Sequence, residues 1–387
     1  MKQINLKTIV FSAVILAATV SGASNAQDGP QAAPHRARAD AETRQAFSPD
    51  ELRSFCALEP IDTHTHVFQS APAFYAMLHR LHMHIVDICV VDDHAKFQKT
   101  LLPQLDAAWE VVHASGGQAA LCTTFDPFGF RQPGFAEAAI RQINQDFDRG
   151  AVAVKIWKNI GMELLDAKGQ YVLPDNPIFA PIYKDIAAHH KTLIAHVADP
   201  NTLWQPPNRA APDYSYYMEH PEWYMYGKAH PASKEAILRA RDHLLEQNPD
   251  LRVVGAHLGS MEADFDEIAR HLDRYPNFAV DLAARMPYVM KQPRDQIIAF
   301  ITRYQDRLVY ATDLGLAPDA NPAAAVKEWE ETYARDWRFF ATTGMVETES
   351  HQKVQGLGLP DAVLRKLYHD NAVSWFPGVL GTAGEAR

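Results

Sequence analysis

The stretch PIDTHTHVF (residues 60–68) places His64 and His66 at the end of a short apolar run that is typical of a β-strand. In a strand, residues two positions apart share a face, so both imidazoles would point in the same direction. Neutral imidazole nitrogens are good ligands for zinc and similar divalent ions. The stretch therefore predicts a strand that presents two metal ligands at its carboxyl end.

An HxH pair by itself is a weak indication of a metal site. With 18 histidines in 387 residues, about one such pair is expected by chance. His82 and His84 form a second pair, but they precede the apolar run IVDICVV (residues 85–91) and so would lie at the amino end of a strand. We predict that they are surface or loop residues without a role in metal binding.

Eight short apolar segments alternate with longer amphipathic segments along the chain. This alternation predicts an α/β fold, a (β/α)8 TIM barrel with a long aromatic-rich insertion after strand 5. The alternative, an open doubly wound sheet, is disfavoured because no GxGxxG phosphate turn occurs. The predicted strands are 61–66, 85–91, 119–124, 151–156, 192–197, 252–257, 278–282 and 308–312, and the predicted helices include 135–149, 177–190, 233–247, 261–275 and 291–305.

Three more residues of metal-binding type close predicted strands: His196 in TLIAHV, His257 in RVVGAH and Asp313 in RLVYATD. The carboxyl ends of barrel strands converge on one face, where residues distant in sequence can meet around one ion. A buried carboxylate without a partner is costly, and a nearby cation removes that cost. We therefore expect these residues to join His64 and His66 in one site.

Five features together resemble the amidohydrolase superfamily, and more narrowly its branch of metal-dependent hydrolases and decarboxylases: DTHTH, the histidine after the fifth strand (His196), GAHLG (255–259), the TD of 312–313 and the tail LYHDNAVSWFP (367–377). The resemblance covers roughly residues 58–378. It implies that His64, His66, His196 and Asp313 are metal ligands, and that Asp313 and His257 act in catalysis or, for His257, as a further ligand. Zinc is the metal that this ligand set favours. The resemblance also allows a homodimer.

Lys155, in AVAVKIW, ends the fourth predicted strand. Some members of the superfamily carry a carbamylated lysine at this place, which bridges two metals. A buried lysine needs either such a modification or an anionic partner. Lys155 is thus a further candidate ligand, and the alternative is an ammonium group that pairs with Asp313 or with a substrate carboxylate. One metal or two are both allowed.

The longest gap between strands, residues 198–251, contains one predicted helix and a stretch rich in Trp, Tyr and Pro, Trp204–Tyr226. A long loop of this kind usually covers a site, and its position after a strand places it on the catalytic face. The aromatic side chains could instead form a small core of the loop itself. Candidate substrate-binding residues are Arg285, which could pair with a substrate carboxylate or with a surface acid, and Trp157, Tyr224 and Arg209.

The amino terminus has the order of a secretory signal peptide: Lys2 and Lys7, an apolar run from Thr8 to Val20, and small residues up to Ala26. We predict a signal peptide over 1–26, a flexible lead-in over 27–47 and a single domain over 48–380, which begins with a helix capped by Ser48. The protein would be exported, to the periplasm or beyond. Cleavage removes two lysines and no acid, so the formal charge of -10 becomes -12.

A net acidic chain without a Lys/Arg-rich run is a poor candidate for binding nucleic acid, and after cleavage no segment is apolar for long enough to span a membrane. Three cysteines exclude a disulfide framework, although one bridge could form. The partner we expect is a small-molecule substrate. The favoured activity is metal-dependent hydrolysis of an amide, lactone or ester bond. The alternatives are decarboxylation of an unsaturated or aromatic acid, and an exported binding protein without catalysis.

Overall fold

The computed structural model describes residues 46–94, 98–211 and 213–381. The predicted signal peptide and almost all of the predicted lead-in lie outside these residues. The described chain begins with the helix Pro49–Cys56, which has the predicted capping box: the Ser48 hydroxyl accepts from the Glu51 amide, and the Glu51 carboxylate accepts from the Ser48 amide. The sequence thus specifies the start of this helix locally.

Nine parallel strands form one sheet, in the order β8-β7-β6-β5-β4-β3-β2-β1-β9. The last two strands belong to one chain segment, which pairs with β7 through β8 and with β1 through β9, so the sheet closes on itself. The predicted barrel class is therefore confirmed. The strands are β1 Ile61–Val67, β2 His84–Ile88, β3 Ala119–Thr124, β4 Ala153–Ile156, β5 Thr192–Ala195, β6 Arg252–Gly255, β7 Phe278–Asp281, β8 Leu308–Val309 and β9 Leu314–Leu316.

The eighth predicted strand, 308–312, is shorter in the structure: β8 ends at Val309, and β9 begins at Leu314, directly after Asp313. Asp313 has a φ of 70°, in the left-handed region, which breaks the pleat between β8 and β9. The buried carboxylate of Asp62 accepts from the amide and the hydroxyl of Thr312, at 3.1 and 2.6 Å, and fixes this break against β1. Sequence periodicity could not show this break, because the contact joins the first strand of the barrel, β1, to the segment that follows β8.

Helices lie between the strands, and the five predicted ones are confirmed with shorter bounds. The α-helices are Pro49–Cys56, Pro72–Leu81, Leu101–Ala114, Phe135–Asp148, Asn159–Met162, Ala180–Ala188, Tyr214–Glu219, Lys234–Gln247, Phe265–Arg274, Met286–Val289, Arg294–Arg303, Pro322–Ala341, Asp361–Arg365 and Asn371–Trp375. Shorter elements are the 3-10 helices Pro127–Gly129, Asn201–Trp204 and Pro221–Trp223, the π-helix Lys366–Asp370 and the hairpin strands β10 Met345–Glu347 and β11 Lys353–Gln355.

The tail motif closes the floor of the barrel, at the end opposite the strand-end histidines. Trp375 packs among the buried residues of the barrel interior, such as Ile61 and Val309. Its indole Nε1 donates to the Asp306 carbonyl at 3.1 Å, and the Thr192 hydroxyl donates to its carbonyl. The tail therefore stabilises the fold and does not contribute to the site.

No helix in the described parts of the chain is long and apolar enough to cross a membrane. Cys89 and Cys122 are buried free thiols and Cys56 is free and half-buried. Burial raises the pKa of the Cys89 thiol well above its usual range, which keeps it protonated and unreactive. His82 is an exposed residue at the C-cap of the helix Pro72–Leu81, as predicted, whereas His84 is half-buried and is the first residue of β2 rather than a surface or loop residue.

Candidate metal centre

Two histidines of β1 and one aspartate from the segment between β8 and β9 meet at one face of the barrel. The Nε2 atoms of His64 and His66 lie 3.3 and 3.4 Å from Oδ1 of Asp313. The three potential ligand atoms are all within 4.8 Å of one another. His64 is buried, whereas the Asp313 side chain is 30% exposed, so the carboxylate is accessible from the catalytic face.

Hydrogen bonds from outside the cluster fix the tautomer of both imidazoles. Nδ1 of His64 lies 2.9 Å from Oδ2 of Asp281, and Nδ1 of His66 lies 2.8 Å from the Ile88 carbonyl oxygen. Both partners accept, so each ring carries its proton on Nδ1 and directs the Nε2 lone pair at the cluster. This is the arrangement of metal-bound histidines, and two imidazoles with a carboxylate suit zinc or a similar divalent metal. The residues present therefore fit a metal.

Asp281, at the end of β7, was not among the predicted site residues. Besides His64, it accepts from the backbone amides of His257 and Ala283, at 2.7 and 3.1 Å. It is 1% exposed. The signal was available in FAVDL, where an acid lies near the end of a predicted strand, as Asp313 does in RLVYATD. Its role could not be inferred, because the carboxylate acts through His64 rather than at the cluster.

His257 lies at the site, but the strand that was predicted to contain it, 252–257, ends before it. The strand β6 ends at Gly255, and His257, Leu258, Gly259 and Ser260 all have φ values between 57 and 64°. Such left-handed residues are costly and are retained where the surrounding structure holds them. The buried guanidinium of Arg241 donates to the Gly259 carbonyl at 2.7 Å and supports this turn.

The turn places the His257 ring 5.0 Å from that of His64, measured between centroids. Its Nδ1 donates to the Ala283 carbonyl at 2.9 Å, so its Nε2 carries the lone pair. Burial, together with the neighbouring His196, lowers the pKa of His257 well below its usual range and keeps the ring neutral. His257 therefore presents a lone pair, and not a proton, at Nε2.

His196 follows β5 and packs against His257, with ring centroids 4.2 Å apart. It does not belong to the group of three residues whose ligand atoms lie within 4.8 Å of one another. Its Nε2 donates to Oδ1 of Asp199 at 2.9 Å. Burial lowers the pKa of His196 to about 4. The neutral ring therefore keeps a lone pair on Nδ1, which is the nitrogen that could bind a metal.

Lys155 reaches the cluster from β4 and is 1% exposed. Its Nζ lies 2.8 Å from Nε2 of His64. Burial lowers the pKa of Lys155 to about 8, an effect that Asp313 and Asp281 partly oppose. The ammonium of Lys155 and a metal ion would therefore compete for the same lone pair of His64.

The four predicted substrate-binding residues are placed differently. Trp157 lies at the site, 6.4 Å from the His196 ring between centroids. Arg285 is buried directly before the helix Met286–Val289, which follows β7, and its Nε lies 3.8 Å from Oε2 of Glu262. Tyr224 donates to the carbonyl of Gln205 within its own loop at 2.8 Å, and Arg209 is exposed. The structure does not bring these last two into contact with the histidines.

A family model described as Amidohydrolase matches residues 61–378. No protein of curated function matches the chain. Similar solved structures include 2,6-dihydroxybenzoate decarboxylase from Rhizobium (14% identity, TM-score 0.47) and 5-carboxyvanillate decarboxylase from Sphingomonas paucimobilis (12%, 0.45), each covering 82% of this chain and 98% of its own. A third, named as a probable 2-pyrone-4,6-dicarboxylic acid hydrolase from Acinetobacter baumannii, has 11% identity, a TM-score of 0.41 and coverages of 82% and 99%. The family assignment depends on the family model.

Proposed function

The chain belongs to the amidohydrolase family, and on that premise we propose that it is a metal-dependent hydrolase that cleaves an amide, lactone or ester bond of a small molecule. The observation that supports this most is the position of Asp313. Its carboxylate lies within 3.4 Å of two imidazole nitrogens and is still partly open to solvent. A carboxylate so placed can serve both a metal and a water molecule.

The metal would be held by His64, His66 and Asp313, with Nδ1 of His196 as the proposed fourth ligand. Zinc is the favoured ion, since imidazole and carboxylate ligands suit it. When bound, a divalent metal would polarise a substrate carbonyl and lower the pKa of a water molecule. The outer hydrogen bonds of His64 and His66 hold both rings in the orientation that this requires.

In the proposed reaction, Asp313 accepts a proton from the attacking water and passes it to the leaving group. The tautomer of His257 indicates which of two roles suits that residue, acceptance of a proton or donation of a hydrogen bond to a developing oxyanion. Because its Nδ1–H is used by the Ala283 carbonyl, a neutral His257 offers a lone pair at Nε2 and not a proton. It therefore suits transient proton acceptance better than donation to a developing oxyanion.

We propose that the substrate carries a carboxylate, which Arg285 would recognise. The Nε atom of Arg285 is buried and has no hydrogen-bond partner among the described residues. The nearby Glu262 is shared with the ammonium of Lys234, at 3.4 Å. A substrate carboxylate could take up the unused donor by a charge-assisted hydrogen bond.

The test combines metal content with product analysis. The protein is purified without chelator, its metal is measured, and it is screened against lactones, amides, esters and unsaturated or aromatic carboxylic acids in water enriched in 18O. We expect at least one metal per chain and one 18O atom in the product. Release of CO2 together with an organic product that contains no 18O would show decarboxylation instead of hydrolysis. The same residues could support that reaction. Metal-replete protein without turnover of any substrate would favour a binding protein.

A further inference from the structure

A buried lysine lies beside the candidate metal centre without contacting it. Lys158 follows β4, and its Nζ lies 2.7 Å from Oδ2 of Asp199; the two side chains are 2% and 3% exposed. Removing two charges from water is costly, and the cost is offset only by good geometry and further hydrogen bonds. The pair therefore calls for partners beyond itself.

The second oxygen of the same carboxylate provides one. Oδ1 of Asp199 accepts from Nε2 of His196 at 2.9 Å, so Lys158, Asp199 and His196 form a continuous chain. Lys158 and His196 thus hold the two oxygens of one carboxylate. With both oxygens engaged, the carboxylate cannot rotate without breaking a charge-assisted bond. The proton of His196 consequently stays on Nε2.

Aromatic rings enclose the ammonium of Lys158. Four ring centroids lie within 6.0 Å of Nζ: Trp223 at 4.6 Å, Trp157 and Tyr216 at 5.3 Å, and Tyr217 at 6.0 Å. Three of the four come from the stretch Trp204–Tyr226 after β5, which we call the aromatic loop. Contacts of this kind stabilise a desolvated cation and fix its position. The loop therefore holds Lys158, and Lys158 holds Asp199.

We propose that Lys158 is a positioning residue for His196, which it orients through Asp199 so that Nδ1 of His196 faces the metal centre. This inference rests on the proposed function, because it assigns His196 a ligand nitrogen. His64 and His66 present Nε2 to the centre, and His196 is the one of these three histidines whose outer hydrogen bond is made by Nε2 instead. Tyr216, Tyr217 and Trp223 of the aromatic loop would thereby influence the orientation of His196 through Lys158 and Asp199.

The competing explanation is that Lys158 and Asp199 only stabilise the fold. A stabilising pair would change the midpoint of unfolding but not the tautomer of His196 or the affinity for a metal. Lys234 provides a matched control: it is a second buried lysine, paired with Glu262, and no contact joins it to the histidines among the described residues.

The experiment measures Co²⁺ affinity by competition with a chelator, and the tautomer of His196 by 15N NMR of the metal-free protein. It compares the wild type with Lys158→Met, Lys158→Arg and Lys234→Met. We expect Lys158→Met to weaken Co²⁺ binding about 10–100-fold and to lose the fixed Nε2–H tautomer. Lys158→Arg should recover part of the affinity, since it keeps a charged donor. Lys234→Met should bind Co²⁺ as the wild type does.

Unchanged affinity and an unchanged tautomer in Lys158→Met would overturn the inference. Failure of the wild type to bind Co²⁺ would instead overturn the proposed function, and the tautomer of His196 would still decide the role of Lys158. If Lys158→Met does not fold, Lys158→Gln carries the same test, because it removes the charge and keeps a hydrogen-bond donor.

Discussion

The Nδ1 atom of His64 lies 2.9 Å from Oδ2 of Asp281, although the two residues are 217 positions apart in the chain. His64 is on β1 and Asp281 ends β7, and the contact forms inside the closed barrel. The other oxygen of Asp281 accepts from the backbone of His257. One carboxylate therefore positions a proposed ligand and a proposed catalytic residue at once.

Asp281→Asn should weaken metal binding about 10–100-fold, the usual effect of losing an outer hydrogen bond to a ligand. An amide has only one accepting oxygen, so either His64 or the amides of His257 and Ala283 lose their acceptor. The measurement is metal affinity by chelator competition. Asp146→Asn is the control, a buried acid that accepts from Trp109 and Thr123 and should not alter the affinity. Equal affinities in the two variants would contradict the prediction.

Asp313→Asn should lower turnover by at least about 10²-fold, the effect expected when a general base is removed. The fold should be retained, because asparagine tolerates the left-handed backbone that residue 313 adopts with a φ of 70°. Turnover and circular dichroism are measured together. Asp319→Asn, at an exposed acid a few residues later, should leave both unchanged. Wild-type turnover in Asp313→Asn would refute the assigned role.

The variant Lys155→Met distinguishes a site that holds one metal ion per chain from a site that holds two. If Lys155 is an unmodified amine, its removal frees Nε2 of His64 from a group 2.8 Å away, and one metal per chain should bind at least as tightly as in the wild type. We expect this result. If a modified Lys155 bridged two metals, the wild type would hold two metals and the variant would lose metal. Elemental analysis of both proteins distinguishes these outcomes.

Gly255→Ala should destabilise the protein and displace His257. A Cβ at residue 255 would lie 2.6 Å from Cζ of Phe278 and 2.8 Å from Cα of Gly259, inside the left-handed turn. Overpacking of this kind costs about 1–3 kcal/mol of the free energy of unfolding. Urea unfolding measures the loss, and turnover reports His257. Gly344→Ala, whose Cβ would lie 3.7 Å from the Thr342 hydroxyl, should be nearly neutral. Unfolding midpoints that agree for the two variants would exclude the clash.

Strand-end patterning predicted much of the site because it is a local property. His64 and His66 share a face of β1 as their spacing requires, and Asp313 meets them as the position of the eighth segment suggests. The same reasoning did not distinguish Trp157, which reaches the site, from Tyr224 and Arg209, which do not. Loop residues lack a period, and their direction depends on contacts that the loop makes after folding.

The sequence by itself determined the alternation of strands and helices, the barrel and the residue types that gather at its carboxyl face. Periodicity, capping and apolar runs act over a few residues and can be read along the chain. Only the tertiary structure decided which nitrogen each histidine offers. That depends on single acceptors brought from other strands: Asp281 for His64, Ile88 for His66 and Asp199 for His196. The chemistry of the site is therefore set by contacts that exist only when the barrel is closed.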